Sequence, residues 1–360
     1  MIERAQCEAA FRTAIVACDP APRVAAAVGR LRLHPTIALA VGKAAYTMAR
    51  GAGPVAEALA VAPFPPAEPL PSGWRTLVSA HPVPDERSLA AGDAVIELIR
   101  SARRDDVVLA LVSGGASALI ERPAKGVTLD QLTSEIAVLV AAGAPIQILN
   151  ATRRALSTIK GGKLAELCAA PIVTLAVSDV VGDSIDVIGS APTVAHRPGD
   201  HAEVIVPIRA FADAFVAALP GATLRADALA GDVATVAQGL AATSGLCVGW
   251  GEPTVRVGQR HGEGGRAQQL ALALARHLAG TSRAAFVVGS DGSDGPAPAH
   301  RPTPAGAYVD GATWDAIASA GVDPVVALEQ LDAGNALAAV GALVVTGPTG
   351  INHADVVVIG

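Results

Sequence analysis

Along the chain, short apolar runs rich in Val, Ile and Ala alternate with glycine-containing turns and with longer Ala- and Leu-rich stretches at helical spacing. Residues 36–41, 106–112, 172–177, 246–250, 285–289 and 343–346 are apolar nearly throughout and predict strands. Residues 75–79 predict another, whose faces Arg75 and Thr76 leave open. Between them, residues 3–17, 87–101, 129–142, 208–218 and 268–278 carry the spacing of helices. Continuous apolar strands alternating with helices indicate βαβ units and a parallel sheet covered on both faces. The pattern breaks twice. Residues 61–72 hold five prolines and predict an exposed connection, a crossover or hinge. Residues 194–201 are a polar Pro-Gly stretch, so a domain break is expected between 195 and 240. We set the two domains at 1–235 and 236–360.

Composition narrows the function. The 360 residues carry 27 Lys+Arg against 33 Asp+Glu, a net charge of -6, and no basic tract, which excludes a partner held by its nucleic-acid backbone. Aromatic residues are 3%, too few for base-stacking platforms. With 51% hydrophobic residues there is material for two cores. The mean hydropathy of +0.43 raises a membrane question, yet Gly, Pro or charge cuts every apolar run before the roughly 18 residues a span needs. Glu3, Arg4 and Glu8 interrupt the N-terminus where a signal peptide needs an apolar core, so export is not expected. Cys7, Cys18, Cys168 and Cys247 form no C-x-x-C pair, which argues against zinc and disulfides and for a reducing cytoplasm. The expected partner is a small-molecule substrate, with no nucleic acid and no membrane; a homodimer is left open.

Small polar residues fall where predicted strands end, the edge at which open α/β sheets bind ligands. After strand 106–112 come Ser113, Gly114, Gly115, Ala116 and Ser117, a glycine turn whose amides and hydroxyls suit an anion. Lys43 follows strand 36–41 at a helix start, where its charge opposes the helix dipole; binding a phosphate is one reason for it, a solvated lysine the other. Lys160 and Lys163 flank Gly161 and Gly162, either to clasp phosphate oxygens or as a helix C-cap. Asp179 and Asp183 bracket Gly182 after strand 172–177, as Mg²⁺ ligands beside a phosphate or as turn residues. In the last third stand Glu252, the GEGGRAQQ string with Arg266, Asp291 and Asp294 in SDGSDGP, and TGPTGINHAD with Asn352. Arg266, where a glycine-rich loop enters a helix, suits bidentate contact with carboxylate or phosphate.

Gly262, Gly264 and Ala267 also spell G-x-G-x-x-A before a helix, with Asp291 about 24 residues beyond, near the dinucleotide fingerprint. An NAD(P)-dependent reductase is therefore an alternative at this point. Against it, Gly258, Gln259, Arg260 and His261 separate the preceding strand from the first glycine. There is no H-E-x-x-H and no G-x-S-x-G elbow, and the eight histidines scatter; His81 and His353 sit within motif-like strings and either touch substrate or, the preferred reading, are structural.

Taken together, VGKAAYTMA, HPVPDERS, SGGASAL, TRRALSTIKGGKLA, SDVVGDSIDVIGSAPT, GEPTV, GGRAQQLALA, SDGSDGP and TGPTGINHAD resemble, in order, the type II glycerate kinases. These are ATP-dependent glycerate 2-kinases whose C-terminal half is the MOFRL domain. The resemblance implies two α/β domains, the larger a Rossmann-like parallel sheet, with the active site in the interdomain cleft. It places proposed active-site residues on Lys43 and Arg266. Ala116 and Ala191 stand where the family has glycine, GGRAQQ replaces GGRNQE at Ala267 and Gln269, and Ile351 replaces threonine. The chain is also short for the family near residues 199–203.

The expectation is a phosphotransferase moving the γ-phosphoryl of ATP, with Mg²⁺, to a hydroxyl of a small hydroxy acid, D-glycerate giving 2-phosphoglycerate. Lys43 and Arg266 are assigned to the transferring group, and Ser113, Gly114, Gly115, Ser117, Lys160, Gly161 and Gly162 to the nucleotide. Asp179 and Asp183 are assigned to the metal, and Glu252, Asp291, Asp294 and Asn352 to the acceptor. A kinase of another sugar acid, an NAD(P)H-dependent hydroxypyruvate reductase, and a non-catalytic acid-binding protein are the alternatives.

Overall fold

Strands β1 (Ile37–Val41), β2 (Glu57–Ala62), β3 (Trp74–Val78), β4 (Val108–Val112), β5 (Ile172–Val177) and β6 (His201–Val206) form a sheet ordered β3-β2-β1-β4-β5-β6. Every neighbouring pair in it is parallel. The architecture comes from a computed structural model that describes residues 2–142, 146–257, 261–298 and 300–360. Alternation within the strands sizes the two faces. Leu39, Val41, Leu59 and Val61 pack on one face with Val95, Leu98 and Ile99 of the helix Glu86–Ser101. The in-between residues Ala38, Ala40, Ala58 and Ala60 leave room on the other for the helix Ala45–Ala52. Strand order reverses between β1 and β4, the topological switch point of a doubly wound sheet.

Strands β7 (Thr223–Leu224), β8 (Cys247–Gly251), β9 (Ala284–Gly289), β10 (Gly306–Asp310), β11 (Leu343–Val344) and β12 (Asp355–Ile359) make a second sheet, ordered β11-β10-β9-β12-β8-β7. Here β12 runs antiparallel to both β8 and β9, and β10 antiparallel to β9 and β11. The unbroken apolar runs that predicted parallel strands reflect burial on two faces, not strand direction. One face carries the helices Val233–Ala241 and Arg266–Leu278. The other holds Phe11, Phe211, Phe215 and Phe286, with ring centroids 5.6–6.4 Å apart.

The chain divides into two compact units. The parallel sheet belongs to Asp19–Ile208 with Gly350–Asn352; the mixed sheet belongs to residues up to Cys18, Arg209–Thr349 and His353–Gly360. These units do not run as the linear segments 1–235 and 236–360. The N-terminal helix Arg4–Ala17 sits with the mixed sheet because Phe11 is buried in its aromatic cluster and Arg4 donates to the Gly341 and Leu343 carbonyls at 2.8 and 2.7 Å. The polar stretch 194–201 leads directly into edge strand β6, and the units part at Ile208 and Arg209, between 195 and 240. Among the described residues, no helix is long and apolar enough to cross a membrane.

Candidate active site

In the parallel-sheet unit, polar residues gather at the carboxyl edge of the strands. Lys43 follows β1 and its amide donates to the Gly114 carbonyl at 2.9 Å, tying it to the turn after β4. Ser113 Oγ accepts from the Ala44 amide at 3.1 Å. Glycine at 114 and 115 lets side chains crowd against the turn. A Cβ on Gly114 would fall 1.8 Å from Asp179 Oδ2 and 1.9 Å from Asn352 Nδ2. Gly115 has φ +87°, and a Cβ on it would meet His81 Cδ2 at 3.1 Å and Lys43 Cγ at 3.4 Å. Asp179 lies just beyond β5, and Asn352 Nδ2 donates to its Oδ2 at 3.1 Å. Lys43, Ser113, Gly114, Gly115, Asp179 and Asn352 therefore surround one turn at the switch point. His81 stands beside them, next to Gly115.

The geometry gives three of the assigned groups other partners. Lys160 is 3% exposed and ion-paired with the fully buried Glu121, so its charge is neutralised inside the protein and not presented to phosphate. Burial pushes its pKa below the lysine range, with Glu121 working against the shift. Asp183 has φ +51° and its Oδ1 accepts the Ile208 amide at 2.8 Å, so one carboxylate oxygen serves the turn. Gly161 and Gly162 form neither a helix C-cap nor an open phosphate clasp, because their amides donate to the carbonyls of Ser190 and Ala191 at 2.9 and 2.8 Å.

In the mixed-sheet unit, Arg266 opens the helix Arg266–Leu278. Its Nε donates to Asp355 Oδ2 at 2.6 Å, and its Nη2 donates to Asp355 Oδ1 at 3.2 Å and to Glu252 Oε1 at 2.8 Å. Burial opposes the charge, but Asp355 and Glu252 outweigh it and keep the guanidinium ionised. Asp355 is the first residue of β12, and its cross-strand partners are Gly251 and Gly289. A Cβ on Gly289 would lie 3.4 Å from Asp291 Oδ1 and 3.5 Å from Asp355 Oδ1, so Asp291 stands beside the pair. Asp355 was absent from the sequence assignment; the available signal was an acid opening an apolar run, VVVI.

Asp294, assigned to the acceptor, caps the same helix instead: its carboxylate accepts the Ala267 and Gln268 amides at 3.0 and 2.8 Å. Burial and the nearby Asp355 charge push its pKa up to about 6. His353 behaves as a core histidine, 3% exposed and stacked on Phe211 at 14°. Gln269 turns away from the helix start, its Nε2 donating to the Leu328 carbonyl at 2.8 Å. Among the described residues, no group of three or more His, Cys, Asp or Glu is placed to hold a metal.

The dinucleotide fingerprint does not form at residues 262–267. The Gly262 amide donates to the Gln330 carbonyl at 2.9 Å and the Gly264 amide to the Pro296 carbonyl at 3.0 Å. The Glu263 amide goes to Asp332 Oδ1 at 2.8 Å. Amides already bonded within the protein are not offered to a pyrophosphate. Residues Gly258, Gln259 and Arg260 lie outside those described.

Two families match the chain: residues 6–213 match one described as a domain of unknown function (DUF4147), and residues 246–355 match the MOFRL family. A D-glycerate 2-kinase of Thermotoga maritima is 31% identical over 405 residues, covering 96% of this chain and 95% of that protein. A glycerate 2-kinase of Pyrococcus horikoshii is 29% identical, over 89% of this chain and 86% of its own. A crystal structure of a glycerate kinase from T. maritima superposes with a TM-score of 0.80 at 29% identity, covering 97% of each chain. With the first family spanning more than half of the chain, MOFRL following it, and a relative matched almost end to end, the chain belongs to the glycerate 2-kinase family.

Proposed function

We propose that the chain is a D-glycerate 2-kinase that transfers the γ-phosphoryl group of ATP to the 2-hydroxyl of D-glycerate. The observation that carries this reading is the near end-to-end similarity to a protein named for that reaction. The switch-point turn supports it, since phosphoryl transfer asks for positioning and charge neutralisation and needs no covalent nucleophile. As the acceptor oxygen bonds to the γ-phosphorus, the bond to the ADP oxygen breaks and the hydroxyl proton is released.

In this reading Ser113, Gly114, Gly115 and Ser117 take the nucleotide phosphates, and Lys43 meets the transferring group. Arg266 has Nε and Nη2 held by Asp355 and Glu252, which fixes its plane for contact with an anionic oxygen through Nη1. Glu252, Asp291 and Asn352 are assigned to the acceptor. Mg²⁺ is held by one or two protein carboxylates plus phosphate oxygens, and Asp179 beside Gly114 fits that requirement. When bound, the ion neutralises charge on the phosphates. The acceptor is a small molecule, and four buried thiols suit a reducing cytoplasm. Light scattering of the purified protein decides between monomer and homodimer.

The test is coupled ADP release from Mg·ATP with D-glycerate, related sugar acids and hydroxypyruvate, with NADPH oxidation followed in parallel. ADP release that requires D-glycerate supports the proposal. NADPH oxidation with hydroxypyruvate and no ADP release contradicts it.

A further inference from the structure

The buried pair Glu121 and Lys160 closes a ring of contacts around the 113–117 turn. Glu121 stands two residues beyond the short helix Ala116–Leu119 that carries Ser117. Its backbone is pinned to the helix Glu86–Ser101: its amide donates to the Ser88 carbonyl at 3.0 Å, and a Cβ on Gly92 would fall 2.3 Å from its carbonyl oxygen. Its carboxylate accepts from Ser157 Oγ at 2.6 Å and the Arg122 amide at 2.9 Å, and takes the Lys160 ammonium on its other oxygen. From Lys160 the chain enters Gly161 and Gly162, whose amides hold Ser190 and Ala191. Ser190 Oγ then donates to Ser117 Oγ at 2.9 Å, returning to the starting helix.

Stability alone does not account for this ring. A buried ion pair is often matched or bettered by apolar residues of the same volume. Ser190 and Ala191 adopt φ +64° and +48°, a left-handed region that disfavours residues other than glycine. What the ring supplies is geometry: each member constrains the next, and the last contact sets the hydroxyl of Ser117. We infer that the Glu121–Lys160 pair is a positioning device for the 113–117 turn, through which Lys160 governs nucleotide binding without touching phosphate. The inference rests on the reading that this turn takes the nucleotide phosphates.

The decisive variant is the double substitution Glu121→Leu with Lys160→Met, which removes both charges together and leaves no buried ion unpaired. Its urea midpoint should equal or exceed wild type. Its Kd for Mg·ADP by calorimetry and its KM for ATP should rise about tenfold, with KM for glycerate within about twofold, because only the nucleotide turn is misplaced. Ser190→Ala tests the far side of the ring with a change too small to prevent folding, and should weaken Mg·ADP by about threefold. Wild-type nucleotide affinity in either the stably folded double variant or Ser190→Ala overturns the inference alone. A wild-type protein that binds no Mg·ADP overturns the reading of the turn and the inference with it.

Discussion

In the parallel sheet, Lys43, Gly114 and Asp179 gather because the neighbouring strands β1, β4 and β5 all end at the same edge. In the mixed sheet, Asp355 reaches Arg266 from the start of a strand that runs against both its neighbours, so its first residue lies beside the ends of β8 and β9. The first cluster is made largely of backbone and of missing Cβ atoms. The second is made of charged side chains that satisfy one another before any ligand arrives. A site of the first kind is sensitive to added atoms and to loss of the Lys43 charge, with little effect on folding. A site of the second kind is also part of the fold, so removing a charge there registers in stability as well as activity.

The sharpest way to break this contrast is Lys43→Ala. If Lys43 meets the transferring group as proposed, its loss should lower kcat for ADP release about 10³-fold, while the unfolding free energy from urea changes by less than about 1 kcal/mol. A variant with full turnover removes the centre of the proposal.

Asp294 gives the next largest effect, in stability. Its folded pKa of about 6 lies above the unfolded value, so its ionised form is disfavoured in the folded state. The penalty is absent below about pH 4 and complete above about pH 6, and a shift of about two units corresponds to about 3 kcal/mol. Relative to Asp294→Asn, wild type should therefore gain stability as pH falls from 7 to 4, read by urea unfolding at both pH values.

Third, Asp355→Asn should destabilise by about 2 kcal/mol by leaving the guanidinium short of a buried partner. Glu252→Gln should remain within about 1 kcal/mol, since its side chain is 39% exposed. Equal losses in the two variants would mean that the strand start is not what anchors Arg266. The smallest effect belongs to Ala191→Gly, which relieves a left-handed alanine and should stabilise by about 1 kcal/mol in the same unfolding assay.

The parallel unit was largely legible from sequence because its strands, turns and ligand edge follow one another in order. The run 172–177 and the serine-glycine turn after β4 fell where periodicity and glycine placement put them. Direction in the second sheet was not legible, since burial on both faces erases the alternation that distinguishes antiparallel strands. Asp355 was hidden for a related reason: its partner lies 89 residues away, and no local pattern encodes a contact across a sheet. Lys160 misled because a lysine beside two glycines looks the same whether it faces phosphate or a buried glutamate. The carboxylate that decides between them, Glu121, lies 39 residues earlier. Asp183 and Asp294 show the same ambiguity, since an acid beside glycine serves a metal, a substrate or a backbone amide equally well in sequence.

The most direct measurement is ADP release from Mg·ATP by the wild-type protein across the panel of small hydroxy acids, with the phosphorylated product identified by mass and position. The account predicts ADP formation that depends on D-glycerate and yields 2-phosphoglycerate. Absence of acid-dependent ADP release, with NADPH oxidation by hydroxypyruvate in its place, would contradict it.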